Sequence, residues 1–272
     1  MAVVPRALAG LVSRITCNES SGTVGAGDRE IATFVVPLIF SFADPFRIGF
    51  DRPPDATGRI GSFVSGLHPG YVDIAYVGPV SCVQIDLTPI GAGVLFRRPM
   101  VEFVTRLVPL EDVGDRRLDA LRDRLGAATM RLERLTIAAA FLEQSLLGQA
   151  AAPETAFIWS AIRRSRGTLR IGQLTEDLGW SRKRLAVHSR DALGLTPKRL
   201  ARIARFHHAI DLADGGPRPD WAGIAADCGY ADRAHLVRDS TTFAGTPPER
   251  WRRNVSGTPP EQAFHHREDG QG

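Results

Sequence analysis

Apolar residues change their spacing along this chain, and the change marks where one kind of structure gives way to another. Early on they come in short continuous or alternating runs, TFVVPLIFSF at 33–42 and YVDIAYVGPVSCVQIDL at 71–87, punctuated by Pro, Gly and Asp. Such runs predict β-strands. Beyond Gly91 the spacing becomes three and four. It is clearest at 116–147, where Leu118, Leu121 and Leu125, then Leu132, Leu135, Ala139, Leu142 and Leu146, predict helices with apolar stripes. The segment GQAAAPE, 148–154, breaks the pattern and reads as a linker. The chain beyond it reads as helix up to SGTPPEQAFHHREDGQG, which reads as a disordered tail.

Within the helical half the pattern has a grammar that repeats. A short apolar helix (Ile171, Leu174, Leu178) stops at Gly179, and after Trp180 a second helix can start with Ser181 as its N-cap. This is helix-turn-helix punctuation. In SRKRLAVHSRDAL, Leu185 and Ala192 point one way, whereas Lys183, Val187 and Arg190 lie roughly 140° to 200° round the helix. The same order returns with Trp221, Ile224, Ala225 and Cys228 as scaffold, Gly229 and Tyr230 as turn, and Asp232 capping RAHLVRDSTTF. There Leu236 and Phe243 face inward and Ala234, Arg238 and Thr241 outward. At an offset of 51 residues Ser181 pairs with Asp232, Leu185 with Leu236, Arg190 with Thr241, Gly194 with Gly245 and Pro197 with Pro248, so an internal duplication is the simplest account. Between the copies, LTPKRLARIARFHHAIDLAD, with Thr196 as cap and Pro197 as first helical residue, predicts one long connecting helix.

Charge sharpens this division. The chain carries a net +4, but residues 157–254 hold 18 Lys plus Arg against 10 Asp plus Glu, an excess of +8, while 1–156 and the tail each sum to −2. A basic excess confined to one segment is the electrostatic footprint expected of a phosphate-binding surface. Hydrophobic content of 43% and charged content of 24% over 272 residues suit two globular domains. No run reaches the roughly 18 apolar residues of a membrane span, and MAVVPRALAGLVSRITC, broken by Pro5, Arg6 and Arg14, makes a poor secretory signal. Cys17, Cys82 and Cys228 are widely separated and form no CxxC pair, so no disulfide framework or zinc ribbon is expected, and a reducing cytoplasm fits.

The segment GYADRAHLVRDSTTFAGTPPERWRR, 229–253, resembles the signature of the AraC/XylS transcriptional regulators, and the first helix-turn-helix and connecting helix resemble that family too. The likeness covers about ninety residues. It implies an α+β chain of two domains. A β-rich, barrel-like sensing domain of cupin-like kind, ending in dimerisation-type helices, is expected over 1–150. An all-α domain with two helix-turn-helix motifs is expected over 157–254, followed by the tail 255–272. The two reading helices would enter successive major grooves, about 34 Å apart along one face of B-DNA. By matching positions, Lys183, Ala186, Val187, Ala234 and Arg238 fall where base edges would be contacted, with Arg182, Arg184, Arg190, Arg233 and Thr241 beside them as phosphate-directed or flanking contacts. Arg238 is the sharpest of these, since arginine on guanine is the commonest specific contact; its bland reading is a solvated helix charge. Double-stranded DNA is the expected partner. A small-molecule effector, a homodimer and, for an activator, RNA polymerase stay open, and no membrane partner, cofactor or metal is expected.

Two departures stand out. Where the family places a bulky apolar or aromatic residue this chain has Ser189 and Ser240, predicting loss of a core side chain worth roughly 1.5–3 kcal/mol and a looser seat for each reading helix. Ala186 and Val187 offer only apolar contact, so hydrogen-bonded readout by the first helix would be sparse. Phe34, Phe40, Phe42, Phe63 and Tyr76 could line a pocket in the first domain, although plain core is their simpler role. Other readings are a small-molecule-binding β domain with a helical protein-interaction module, or an enzyme in the first half. The enzyme is disfavoured: His68 is the only histidine there, too few for a two-histidine metal site, and phosphate-loop, nucleophile-elbow and zincin motifs do not occur. The pairs His207–His208 and His265–His266 lack the spacing that puts two ligands on one helical face.

Overall fold

The computed structural model describes residues 4–20, 27–214 and 218–255. The tail read from sequence as disordered, with His265 and His266, lies outside the described residues from 256 onward.

Among the described residues eight strands form two sheets: β1 (Val12–Ser20), β2 (Gly27–Glu30), β3 (Val36–Ser41), β4 (Phe46–Phe50), β5 (Phe63–Ser65), β6 (Val72–Tyr76), β7 (Val80–Leu87) and β8 (Leu107–Pro109). One sheet has the order β1-β7-β3-β5-β8 and the other β2-β6-β4. All pairings are antiparallel, with Ile15 opposite Ile85 and Leu38 opposite the same residue from the far side. Alternation along β7 explains how two cores form around one strand. Val83, Ile85 and Leu87 face the helices, whereas Cys82 faces the space between the sheets, beside Phe46 and Phe63.

Helices α1 (Pro89–Phe96), α2 (Leu110–Val113), α3 (Arg116–Ala127) and α4 (Arg131–Leu146) cover the five-stranded sheet. Thr88 caps α1, its hydroxyl accepting from the Gly91 N–H at 3.0 Å; Asp115 caps α3 in the same way through the Arg117 N–H. The buried stripe of α4 is Arg134, Leu135, Ala138, Phe141, Leu142 and Leu146. Leu132, expected in that stripe, is instead 71% exposed: it lies in the first turn of α4, roughly 100° round the helix from the middle of the buried stripe.

The five aromatics considered as pocket lining do not share one. Phe63 and Tyr76 lie between the sheets. Phe40 points into the helix-side core. Phe42 lies under the Arg134 guanidinium, 4.6 Å from its ring centre, and Phe34 packs edge-on against Trp159 of the helical half.

That half contains α5 (Pro153–Arg164), α6 (Ile171–Leu178), α7 (Arg182–Leu193), α8 (Pro197–Asp214), α9 (Trp221–Asp227), α10 (Arg233–Ala244) and α11 (Pro248–Val255). The long connector is α8, and its apolar face, including Leu200, Ile203, Phe206 and Ile210, is buried. Residues 147–152 run without regular structure between α4 and α5, where GQAAAPE was read as a linker.

Candidate nucleic-acid interface

Both helix-turn-helix units are made by the same local devices. Gly179 and Gly229 adopt left-handed φ of +62° and +70°, a conformation glycine takes without the penalty a Cβ would impose. The next residue reaches back in each: the N–H of Trp180 donates to the Thr175 carbonyl and that of Tyr230 to the Ala225 carbonyl, both at 2.9 Å. The chain then re-enters a helix at Ser181, whose hydroxyl accepts from the Arg184 N–H, and at Asp232, whose carboxylate accepts from the His235 N–H. Scaffold and turn correspond at an offset of 50, the reading helices at 51; Ala231 is the inserted residue.

Leu185, Ser189 and Leu193 on α7, and Leu236, Ser240 and Phe243 on α10, are buried. The two serines are not bare gaps in the core. Each is fully buried, and its hydroxyl donates to a carbonyl six residues on, Ser189 to Leu195 at 2.7 Å and Ser240 to Thr246 at 2.8 Å. The hydroxyl trades apolar burial for a pin that ties the reading helix to the turn leading into the following helix.

On the outer faces Arg182, Lys183, Arg184, Val187, Arg190, Arg233, Ala234, Arg238 and Thr241 are exposed, and Ala186 is half-buried. Lys183, Val187 and Arg190 share one face of α7, and Ala234, Arg238 and Thr241 one face of α10. Among the described residues Arg182, Lys183, Arg190 and Arg238 form no ion pair, so their charge is presented to solvent. Three other candidates have internal partners. The Arg184 guanidinium lies 4.3 Å from the Trp180 ring centre, Arg233 pairs with Glu249 of α11, and the Thr241 hydroxyl donates to its own helix at Val237. Thr241 therefore keeps only acceptor capacity and a methyl group for any outside contact.

The sequence reading missed the group that seats α10. Asp239 is 1% exposed, accepts from Arg202 of α8 at 2.6 Å and lies 3.8 Å from Arg205. Arg205 in turn covers the Tyr230 ring at 4.5 Å and donates to the Gly229 carbonyl, so one arginine ties the connector to the second turn. Burial raises the Tyr230 hydroxyl above its usual range. The available signal was the i, i+3 spacing of Arg202 and Arg205 on α8. At the equivalent place in the first unit stands His188, whose ring nitrogen is 2.9 Å from the Thr155 hydroxyl of α5 and whose ring meets Trp180 edge-on.

The first domain grips both units. Gly93 of α1 and the turn at Met100–Phe103 pack against the end of α7, and the Val104 side chain approaches Gly194. On the second unit the Ala32 N–H donates to the Phe243 carbonyl at 2.8 Å, and the His207 ring donates to the Ala32 carbonyl at 2.7 Å. Gly245 sits so close to Arg29 and Tyr71 that a Cβ would come within 2.8 Å of each.

Two scaffolded reading helices on a shared connector define a double helix-turn-helix DNA-binding domain. Residues 174–254 match the family model described as a helix-turn-helix domain. No curated protein sequence matches the chain. Among solved structures, ToxT from Vibrio cholerae O395 is similar at 11% identity, covering 90% of this chain and 98% of that one with a TM-score of 0.43. An unsaturated-fatty-acid-bound ToxT from Vibrio cholerae strain SCE256 is similar at 11% identity, covering 88% and 94% with a TM-score of 0.40. Among the described residues no helix is long and apolar enough to cross a membrane, and no group of three or more His, Cys, Asp or Glu is placed to hold a metal ion.

Proposed function

We propose that this chain is a sequence-specific transcriptional regulator that reads double-stranded DNA with α7 and α10 in successive major grooves. The observation that carries the reading is the duplicated exposed face, with Lys183, Val187 and Arg190 on one helix and Ala234, Arg238 and Thr241 on the other, each held by its own cap and serine pin. Arg238 reads a guanine edge bidentately and Lys183 reaches a base edge; Arg182 and Arg190 supply phosphate contacts; Ala186, Val187 and Ala234 meet thymine methyls. Regulation enters through the first domain, whose Ala32 and Gly93 contacts bear directly on α8, α10 and α7.

The test is binding of the full chain to its own upstream DNA against scrambled DNA of equal length at about 150 mM salt, where the sequence-independent term is suppressed. A preference of about a thousandfold or more is expected. Equal weak binding to both sequences would overturn the reading and favour a helical protein-interaction module.

A further inference from the structure

Between α3 and α4, at the end of α1, the surface opens into a cleft of about 370 Å³ with an unusual lining. Arg97, Arg117 and Arg124 line it, Leu121 and Phe141 belong to its apolar part, and Gln149 from the linker lines it as well. The volume falls in the range of small-molecule sites, about 300–1,000 Å³.

The three guanidinium groups are not equivalent. Arg117 is anchored, donating to the Leu95 carbonyl at 3.2 Å and paired with Asp115 at 2.6 Å. Arg97 and Arg124 form no ion pair among the described residues, so the cleft holds positive charge in excess of Asp115. Arg97 also occupies the left-handed C-cap of α1 at φ +52°, where glycine is the ordinary choice. Here the side chain so placed brings a cation to the rim of the cleft.

We propose that this cleft binds a small organic anion, a carboxylate or phosphate ester with an apolar body, its head on Arg97 and Arg124 and its body over Leu121 and Phe141. Planar guanidinium groups match the two-oxygen edge of either head, and the apolar floor favours an organic anion over a bare inorganic one. The bound anion touches α1, which abuts the first reading helix, and the linker that leads to α5. The proposal does not rest on DNA reading, and its test contains no DNA.

Calorimetric titration of the full chain with phenyl phosphate and with phenylacetate, at about 150 mM salt, reads the site directly, with benzyl alcohol and inorganic phosphate as controls. At least one organic anion binds saturably to one site, about tenfold or more tighter than either control. Preference for phenyl phosphate identifies a phosphate head and preference for phenylacetate a carboxylate head. The Arg97→Gly/Arg124→Gln double variant weakens that binding about tenfold or more. Arg97→Gly relieves a left-handed arginine, so the thermal midpoint is kept; if it drops, the loss of binding is measured on Arg124→Gln alone. Absence of binding by both anions, equal binding of benzyl alcohol, or a variant that binds like the parent overturns the proposal.

Discussion

The two helix-turn-helix units share their internal construction and differ in how they are held. Both have a left-handed glycine, a back-reaching aromatic, a polar cap and a serine pinned to a carbonyl six residues on. Outside that shared set, α7 ends against apolar elements of the first domain, α1 and the turn at Met100–Phe103. By contrast α10 is seated on α8 by its own buried carboxylate, Asp239, and meets the first domain through the Ala32 N–H, which donates to the Phe243 carbonyl. Trimming an apolar contact leaves no polar group unpaired, whereas removing one partner of a buried charge pair does. The second unit is therefore the one whose seat a single side chain can undo, and it also carries the arginine best suited to read a base.

The largest contrast comes from removing each seat. Asp239→Ala leaves Arg202 without its acceptor and Arg205 without its nearest counter-charge. Because Arg202 keeps 30% side-chain exposure, water recovers part of the loss, and a destabilisation of about 3 kcal/mol is expected, at the lower end for a broken buried pair. His188→Ala removes one hydrogen bond and one ring-edge contact, an expected loss of about 1 kcal/mol. Urea denaturation of both variants measures the difference. Equal losses would mean that the two units are held alike.

DNA contact separates the units next. Arg238→Ala, on an exposed residue that forms no ion pair among the described residues, should leave the unfolding midpoint unchanged and lower affinity for the specific site by about 2 kcal/mol, or about thirtyfold. Val187→Ala on the first helix removes only methyl contact and should cost under about 1 kcal/mol. Competition binding with specific and scrambled duplexes checks both. A larger effect at Val187 would make the first helix the principal reader and reverse the comparison.

Legibility in the sequence depends on range. Caps, glycine stops and the connector helix are set by neighbours within a few residues, so Ser181, Asp232, Gly179, Gly229 and the start of α8 at Pro197 were all legible. The mates of Asp239 and Ser240 were not, because Arg202 lies 37 positions away and the acceptor for each serine is a carbonyl of the loop after its helix. The separate surroundings of the first-domain aromatics were beyond local pattern for a related reason. Phe34, Phe40 and Phe42 share a parity along one run, yet Phe34 precedes β3 and meets α5, Phe40 enters the helix-side core and Phe42 meets Arg134. Strand β1, VSRITCNES, was missed because Arg14 and Asn18 dilute its apolar alternation; Arg14 is a partner of buried Asp86 rather than a surface charge.

The smallest expected difference between the units tests what they have in common. Ser189→Ala leaves the Leu195 carbonyl, and Ser240→Ala the Thr246 carbonyl, without the hydroxyl that now reaches it in a buried setting. Each should cost about 1–2 kcal/mol, with the two values within about 0.5 kcal/mol of one another and additive in the double variant, since the sites share no partner. Chemical denaturation of the two single variants and the double variant gives all three numbers. If the serines were only undersized core residues, alanine would be neutral, and a bulky replacement such as Ser240→Leu would restore the stability that the family pattern implies. Loss in both alanine variants together with loss in Ser240→Leu identifies the hydroxyl itself as the element that both units retain, whatever else holds them.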